Sequence, residues 1–141
     1  GLLSNNEIKS GLIFDPIKNE MFYAEKNNGA FFNNERIRVS KKNELSECLF
    51  ATGGKKYNSI NEISTRKSGC AALDLAYVAS GRYDGYCQNN LNLWDIAAGL
   101  IILHEAGGMI NNIDLNNHKN FNVIASSPSI HDKFVKKISN F

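Results

Sequence analysis

Short apolar runs separated by turn residues fill residues 2–39. Ile8-Lys9-Ser10-Gly11-Leu12-Ile13-Phe14 runs into Asp15-Pro16, where proline ends strand pairing and opens a turn. Met21-Phe22-Tyr23-Ala24-Glu25, Ala30-Phe31-Phe32 and Arg36-Ile37-Arg38-Val39 follow, punctuated by Asn27-Asn28-Gly29 and Asn33-Asn34. Asparagine tolerates left-handed backbone angles, so these junctions suit tight hairpins and the stretch predicts an antiparallel meander. Residues 40–47 are polar and read as a crossing between two layers. Leu49-Phe50-Ala51 predicts a short buried strand ending in a turn at Thr52-Gly53-Gly54, and residues 55–65 are polar, with only Ile60 and Ile63 as apolar points.

The period then changes. Residues 68–81 predict a helix with Ala72, Leu75, Ala76 and Ala79 on one stripe, Ser68 placed to cap the start and Gly81 to end it. Residues 82–88 alternate as a strand, 109–113 and 121–125 read as two more, and 130–138 as a closing amphipathic helix after Pro128, whose His131 is expected at the surface. Helices alternating with short apolar strands predict an α/β layer behind the meander.

Between these elements lies the stretch around which the rest is organised. From Ile96 to Leu103 no side chain carries a charge or a hydrogen-bonding group, so a helix here is apolar on nearly every face and must be buried on more than one side. Asp95 stands near its start, where free N–H groups and the helix dipole favour a carboxylate. Residue type alone leaves two roles open for it, an N-cap or a metal ligand held at the head of a rigid helix.

Composition narrows the class. The 141 residues, 43% hydrophobic and 21% charged, suffice for one globular unit with a real core. The net charge is +2, and the basic groups Arg36, Arg38, Lys41, Lys42 and Lys133, Lys136, Lys137 are not interleaved with aromatics in a nucleic-acid pattern. Cys48, Cys70 and Cys87 form no C-x-x-C pair, which argues for a reducing compartment, and a cytoplasmic location is the expectation. No apolar run is long enough for a bilayer-spanning helix. The chain opens on Gly1-Leu2-Leu3 without a Met and reads as a piece of something longer.

Few residues offer chemistry unaided. Gly69-Cys70-Ala71 begins a helix with small residues, which lets an anion approach backbone N–H groups, although such triplets more often serve packing alone. Cys87 lacks a local base to activate it as a nucleophile, and His104, His118 and His131 have no zinc-binding spacing. Asp74, Asp84, Glu105 and Asp114 have no spacing that would make a metal site with Asp95.

Trp94-Asp95-Ile96-Ala97-Ala98-Gly99, with Glu105-Ala106-Gly107-Gly108 behind it, resembles the C-terminal signature of the inositol monophosphatase family of Mg²⁺-dependent phosphatases. Gly11-Leu12-Ile13-Phe14-Asp15-Pro16, Gly29-Ala30-Phe31-Phe32-Asn33 and the run from Gly69 to Gly81 are similar to further stretches of the same pattern. The resemblance covers essentially the whole chain but only the C-terminal part of a family member. It implies an α/β, α+β layered fold: residues 1–45 as the last strands of a first antiparallel sheet, residues 46–141 as a mixed sheet flanked by helices. It also implies a segment at residues 55–65 shorter than usual.

For function, the resemblance implies hydrolysis of a polyol phosphate, such as an inositol phosphate, by water activated between Mg²⁺ ions. Asp95 is the implied catalytic and metal-binding residue, and Gly69, Cys70, Ala71, Gln88 and Asp95 the implied substrate contacts. Cys70 stands where Thr or Ser is usual, Gln88 where Glu is usual, and Asn89-Asn90 replaces the usual turn after it. The family's upstream Glu and its Asp-Pro-x-Asp-Gly-Thr motif are absent, since Asp15-Pro16 is followed by Ile17-Lys18. The isolated chain is therefore expected to be inactive, and the complete protein to be a homodimer. The competing expectation is a non-catalytic relative acting as a binding or regulatory protein with RNA or transcription partners.

Overall fold

The computed structural model describes residues 1–54 and 63–139. The early meander forms: β1 (Leu2–Ser4), β2 (Glu7–Asp15), β3 (Glu20–Glu25), β4 (Gly29–Phe32) and β5 (Glu35–Arg36) make one antiparallel sheet in sequence order. Its turns use left-handed asparagines as expected, with positive φ at Asn5, Asn6, Asn19, Asn27, Asn33 and Asn34. Strand alternation puts Gly11 and Ile13 of β2, with Phe22, Ala24 and Ala30, into the core, and an irregularity in the pairing with β1 re-phases β2 so that Ile8 is buried as well. Leu12 and Phe14 point the other way and stay 59% and 51% exposed.

The second sheet has the order β7-β6-β8-β10-β9, built from β6 (Leu49–Thr52), β7 (Ser64–Arg66), β8 (Gly85–Leu91), β9 (Met109–Ile110) and β10 (Phe121–Ser126). β7, β6 and β8 run parallel, while β8, β10 and β9 pair antiparallel, so the sheet is mixed. Its central strand is buried on both faces, with Tyr86 and Cys87 both shielded from solvent. The fold is thus the expected α/β arrangement, an antiparallel sheet followed by a mixed sheet with helices. The expected short segment at residues 55–65 lies mostly outside the described residues; its described end forms β7, which the polar composition does not announce.

Helix α2 (Leu93–Glu105) is the buried rod the sequence requires, packing on β2, β3 and β4 on one side and on helix α1 (Ala71–Ala79) on the other. Glycines make both contacts close. A Cβ on Gly11 of β2 would lie 2.7 Å from the Ala98 Cα, and one on Gly99 would lie 2.7 Å from Leu75 Cβ on α1. The Glu105 carboxylate accepts hydrogen bonds from the N–H groups of Asn27 and Gly29, both 2.9 Å, and so pins the β3–β4 turn to the end of α2. Helix α3 (His131–Ser139) covers the far face of the second sheet, its Phe134 and Ile138, with Ile130 just ahead of it, packing against Phe50 and Cys87. Among the described residues no helix is long and apolar enough to cross a membrane.

Three sequence expectations are corrected. Helix α1 starts at Ala71 with Cys70 as its N-cap; Ser68 does not cap it but accepts the Cys70 N–H, 3.1 Å, one turn earlier. The strand expected at residues 82–88 begins later and runs on to Leu91, absorbing Asn89-Asn90 in place of a turn. Asn90 adopts φ +59°, and the register slips opposite Phe121 and Val123, so a bulge lets the strand continue. His131 is not a surface residue: it is the first residue of α3, directly after the buried Ile130, is 7% exposed, and its Nδ1 lies 2.8 Å from the Ser126 hydroxyl.

Candidate active site

Asp95 occupies the third position of α2, and Asn92, not Asp95, is the N-cap. The Asp95 Oδ2 accepts the Asn92 N–H at 3.0 Å and the Asn92 Nδ2 at 3.3 Å, one side of a capping box. This answers the question of role in part. Asp95 helps to cap the start of the helix, yet only one of its oxygens does so. No hydrogen bond among the described residues engages Oδ1, and the residue lines an open cleft of about 450 Å³.

That cleft collects the residues that resemblance singled out. Gly69, Cys70 and Ala71 form one wall at the start of α1, Gln88 another on β8, and Asp95 stands at the head of α2. These residues meet there because α1 packs directly on α2 and β8, which precedes α2 in the chain, hands over to it at Asn92. Ala72, Asn90, Leu91 and Trp94 complete the lining. Trp94, 67% exposed, is a lining residue to which the sequence assigns no role; its place directly before Asp95 is the signal that points to it.

The walls have defined chemistry. Within the described residues no hydrogen bond occupies the N–H groups of Ala71 and Ala72 at the start of α1, whereas the Cys70 N–H is held by Ser68. Cys70 is an exposed thiol at the cleft. The Gln88 Oε1 accepts the Tyr86 hydroxyl at 2.7 Å, which turns its amide NH₂ outward as a donor. Gln88 lies tightly over Gly53, where a Cβ would come within 1.6 Å of Oε1. The backbone at Thr52-Gly53-Gly54 therefore serves as the bed for this side chain.

The other acids are committed elsewhere. Asp84 is buried and accepts the Leu49 N–H at 2.7 Å and the Lys42 ammonium at 3.0 Å. Asp114 accepts from Asn116, and those bonds hold its carboxyl below the usual range. Asp15 accepts the N–H groups of Ile17 and Lys18 in its turn. Cys87 is inert, its thiol pushed up to about 12 by burial. No group of three or more His, Cys, Asp or Glu able to hold a metal occurs among the described residues. The residues present therefore offer one hard oxygen donor, Asp95, and not a complete Mg²⁺ shell, which takes several oxygens.

The family model described as the inositol monophosphatase family matches residues 1–141. The chain belongs to that family. It is 44% identical over 147 residues to a Thermotoga maritima protein named fructose-1,6-bisphosphatase/inositol-1-monophosphatase, covering 97% of this chain and 57% of the relative. It is 36% identical to the Haemophilus influenzae protein named Nus factor SuhB, covering 94% of this chain and 56% of that one. Among solved structures, a Thermotoga maritima IMPase superposes with a TM-score of 0.89 at 40% identity, over 98% of this chain and 58% of that structure. The chain thus spans a little under three fifths of the family relatives it matches.

Proposed function

We propose that this chain is the C-terminal part of a Mg²⁺-dependent phosphomonoesterase that hydrolyses a polyol phosphate, such as an inositol phosphate, to the polyol and inorganic phosphate. The observation that carries the reading is the single cleft that gathers Gly69, Cys70, Ala71, Gln88 and Asp95. Asp95 lends its uncommitted oxygen as one metal ligand, and the remaining carboxylates come from polypeptide outside these 141 residues. When bound, the metal supplies a Lewis acid and an activated water.

The chain's own residues bind and orient. The N–H groups of Ala71 and Ala72 at the head of α1 meet an anionic oxygen with the positive end of the helix dipole. The Gln88 NH₂ donates to a hydroxyl oxygen of the polyol, where a carboxylate would have accepted from it. Trp94 closes one side with an apolar face. We place the protein in the cytoplasm, as three free thiols suit a reducing compartment, and the complete form as a homodimer.

The test is a chimera. The portion of the Thermotoga maritima relative outside the matched stretch, joined ahead of Gly1, is expected to release phosphate from inositol 1-phosphate only with Mg²⁺, and Asp95→Asn to abolish release. The 141-residue chain alone is expected to be inactive. Robust Mg²⁺-dependent release by the chain alone, or a folded chimera indifferent to Asp95→Asn, refutes the reading.

One observation favours a second reading, a non-catalytic part in a transcription complex: a relative at 36% identity is named as a Nus factor. Under that reading the folded chimera binds a transcription component and shows no phosphatase activity.

A further inference from the structure

One amide in the cleft is oriented by a residue that does not itself line it. Tyr86 and Gln88 stand two positions apart on β8, so strand alternation puts both on one face, and Tyr86 packs with α1 and α2 while Cys87 between them packs with α3. Tyr86 is fully buried, whereas Gln88 lines the cleft. The Tyr86 hydroxyl donates to the Gln88 Oε1 at 2.7 Å. The Gln88 side chain also lies against Gly53, whose N–H is tied to the Cys87 carbonyl at 3.1 Å, and a Cβ there would overlap both Oε1 and Cδ. A phenol and a bare stretch of backbone together hold the amide.

Reversing that amide would turn its NH₂ toward the phenol. A phenol has one proton to give, and among the described residues Oε1 is its only hydrogen-bond partner. Because Tyr86 is shut off from water, the reversed amide would strand that proton in the core, which costs more than an ordinary hydrogen bond gains. The proton also stays in place: burial first and the Asp74 charge second push the phenol well above the usual tyrosine range, and Cys87, Cys70 and Asp95 act in the same direction. The cleft therefore meets the NH₂ of Gln88 and not its carbonyl.

We propose that Tyr86 is a positioning residue that sets the specificity of the cleft: by occupying the Gln88 carbonyl oxygen it leaves only a donor facing the ligand, and this wall accordingly favours the phosphate ester of a hydroxy-ketone, whose carbonyl oxygen can only accept, over that of the matching alcohol. An alcohol meeting the same NH₂ must find a second partner for its own proton, and a ketone need not. The ligand rests on the phosphate-ester reading above; the hold of Tyr86 on Gln88 does not.

Dihydroxyacetone phosphate and glycerol 3-phosphate differ at one carbon, a ketone oxygen against a hydroxyl, and their kcat/KM ratio in the chimera is the test. Gln88→Glu, which presents an acceptor, is expected to lower the ketone-to-alcohol ratio by roughly tenfold, the scale of one hydrogen bond lost or opposed. Tyr86→Phe removes only the hydroxyl and lets the amide turn, so the ratio is expected to fall in the same direction, less far, and through KM more than kcat. In the 141-residue chain, the Tyr86 hydroxyl proton is expected as a ¹H signal protected from exchange, with the protection lost in Gln88→Ala. A ratio unmoved by Tyr86→Phe in a folded chimera, or an unprotected proton in the wild type, overturns the proposal. If the chimera releases phosphate from neither ester nor from inositol 1-phosphate, the phosphatase reading and the ligand assignment fall together, and the protected proton decides the hold on Gln88 by itself.

Discussion

Replacing Gly11 by alanine tests whether the first sheet and α2 touch backbone to backbone. The added Cβ would lie 2.6 Å from the Ile101 Cγ2 and 2.7 Å from both the Ala98 Cα and the Ala98 carbonyl oxygen. Carbon contacts are comfortable at about 3.5–4.0 Å, so the two elements must part by close to 1 Å. Ile101 is β-branched and stiff, and the Ala98 atoms belong to the helix backbone, so nothing nearby can swing aside. Overpacking of this kind costs about 1–3 kcal/mol, against about 0.5–1 kcal/mol recovered by removing a glycine from a strand. The net expectation is a loss of about 1–2 kcal/mol. With an unfolding entropy of about 0.3 kcal/mol/K for a chain of this length, the melting midpoint falls by roughly 3–7 °C. Urea unfolding followed by far-ultraviolet circular dichroism measures it, with an unchanged m-value showing that stability alone has moved. Gly99→Ala is the comparison. Its new Cβ meets the Leu75 side chain, which can yield in part, and about 1 kcal/mol of helix propensity is regained, so it is the milder change. A Gly11→Ala variant as stable as the wild type, or milder than Gly99→Ala, would show that the helix does not sit on the sheet as described.

Gly53→Ala places a Cβ where Gln88 now lies and is expected to unseat that side chain and break its bond with Tyr86, lowering the affinity of the chimera for inositol 1-phosphate several-fold; unchanged KM would refute the bed assigned to Gly53. Glu105→Ala frees the Asn27 and Gly29 N–H groups and is expected to cost about 1–3 kcal/mol in urea unfolding, whereas a neutral result would deny that the carboxylate anchors the turn. His131 is held below its ordinary value by burial, with Asp132 opposing. The unfolded chain therefore takes up the proton first, and this group's stabilisation, present above about pH 6.5, drains away as pH falls from there toward the lower folded value. The stability difference between wild type and His131→Asn should narrow over that window, and a difference constant with pH would show that the imidazole titrates alike in the folded and unfolded chain. Asp74 contributes the opposite slope, since its raised carboxyl favours the folded state at low pH, which is why the comparison with the variant is needed.

The order of elements could be read from hydrophobic periodicity because each strand and helix carries a clean signal. Asn-rich turns mark the meander, and the uncharged run from Ile96 to Leu103 requires a helix buried on more than one side, which α2 is. The errors lie where a side chain overrides the pattern. Asn90 turned an expected loop into a bulge by accepting positive φ, and Ser126 drew His131 inward by offering it a partner. In the cleft, Asp95, Gln88 and Gly69-Cys70-Ala71 came from resemblance, not from periodicity, and they do line one cavity. The Asn92-to-Asp95 capping box is local and its three-residue spacing could have shown it, whereas local sequence could not show that Gln88 rests on Gly53, because that depends on segments brought together by the fold.

Leu12 and Phe14 leave the first sheet with a greasy outer wall. Whenever two solitary molecules collide in solution, pressing those walls together expels water, so recoverable protein should shrink as concentration climbs. Chilling weakens that drive and keeps the sample clear. That expected behaviour would come from side chains that line no part of the cleft.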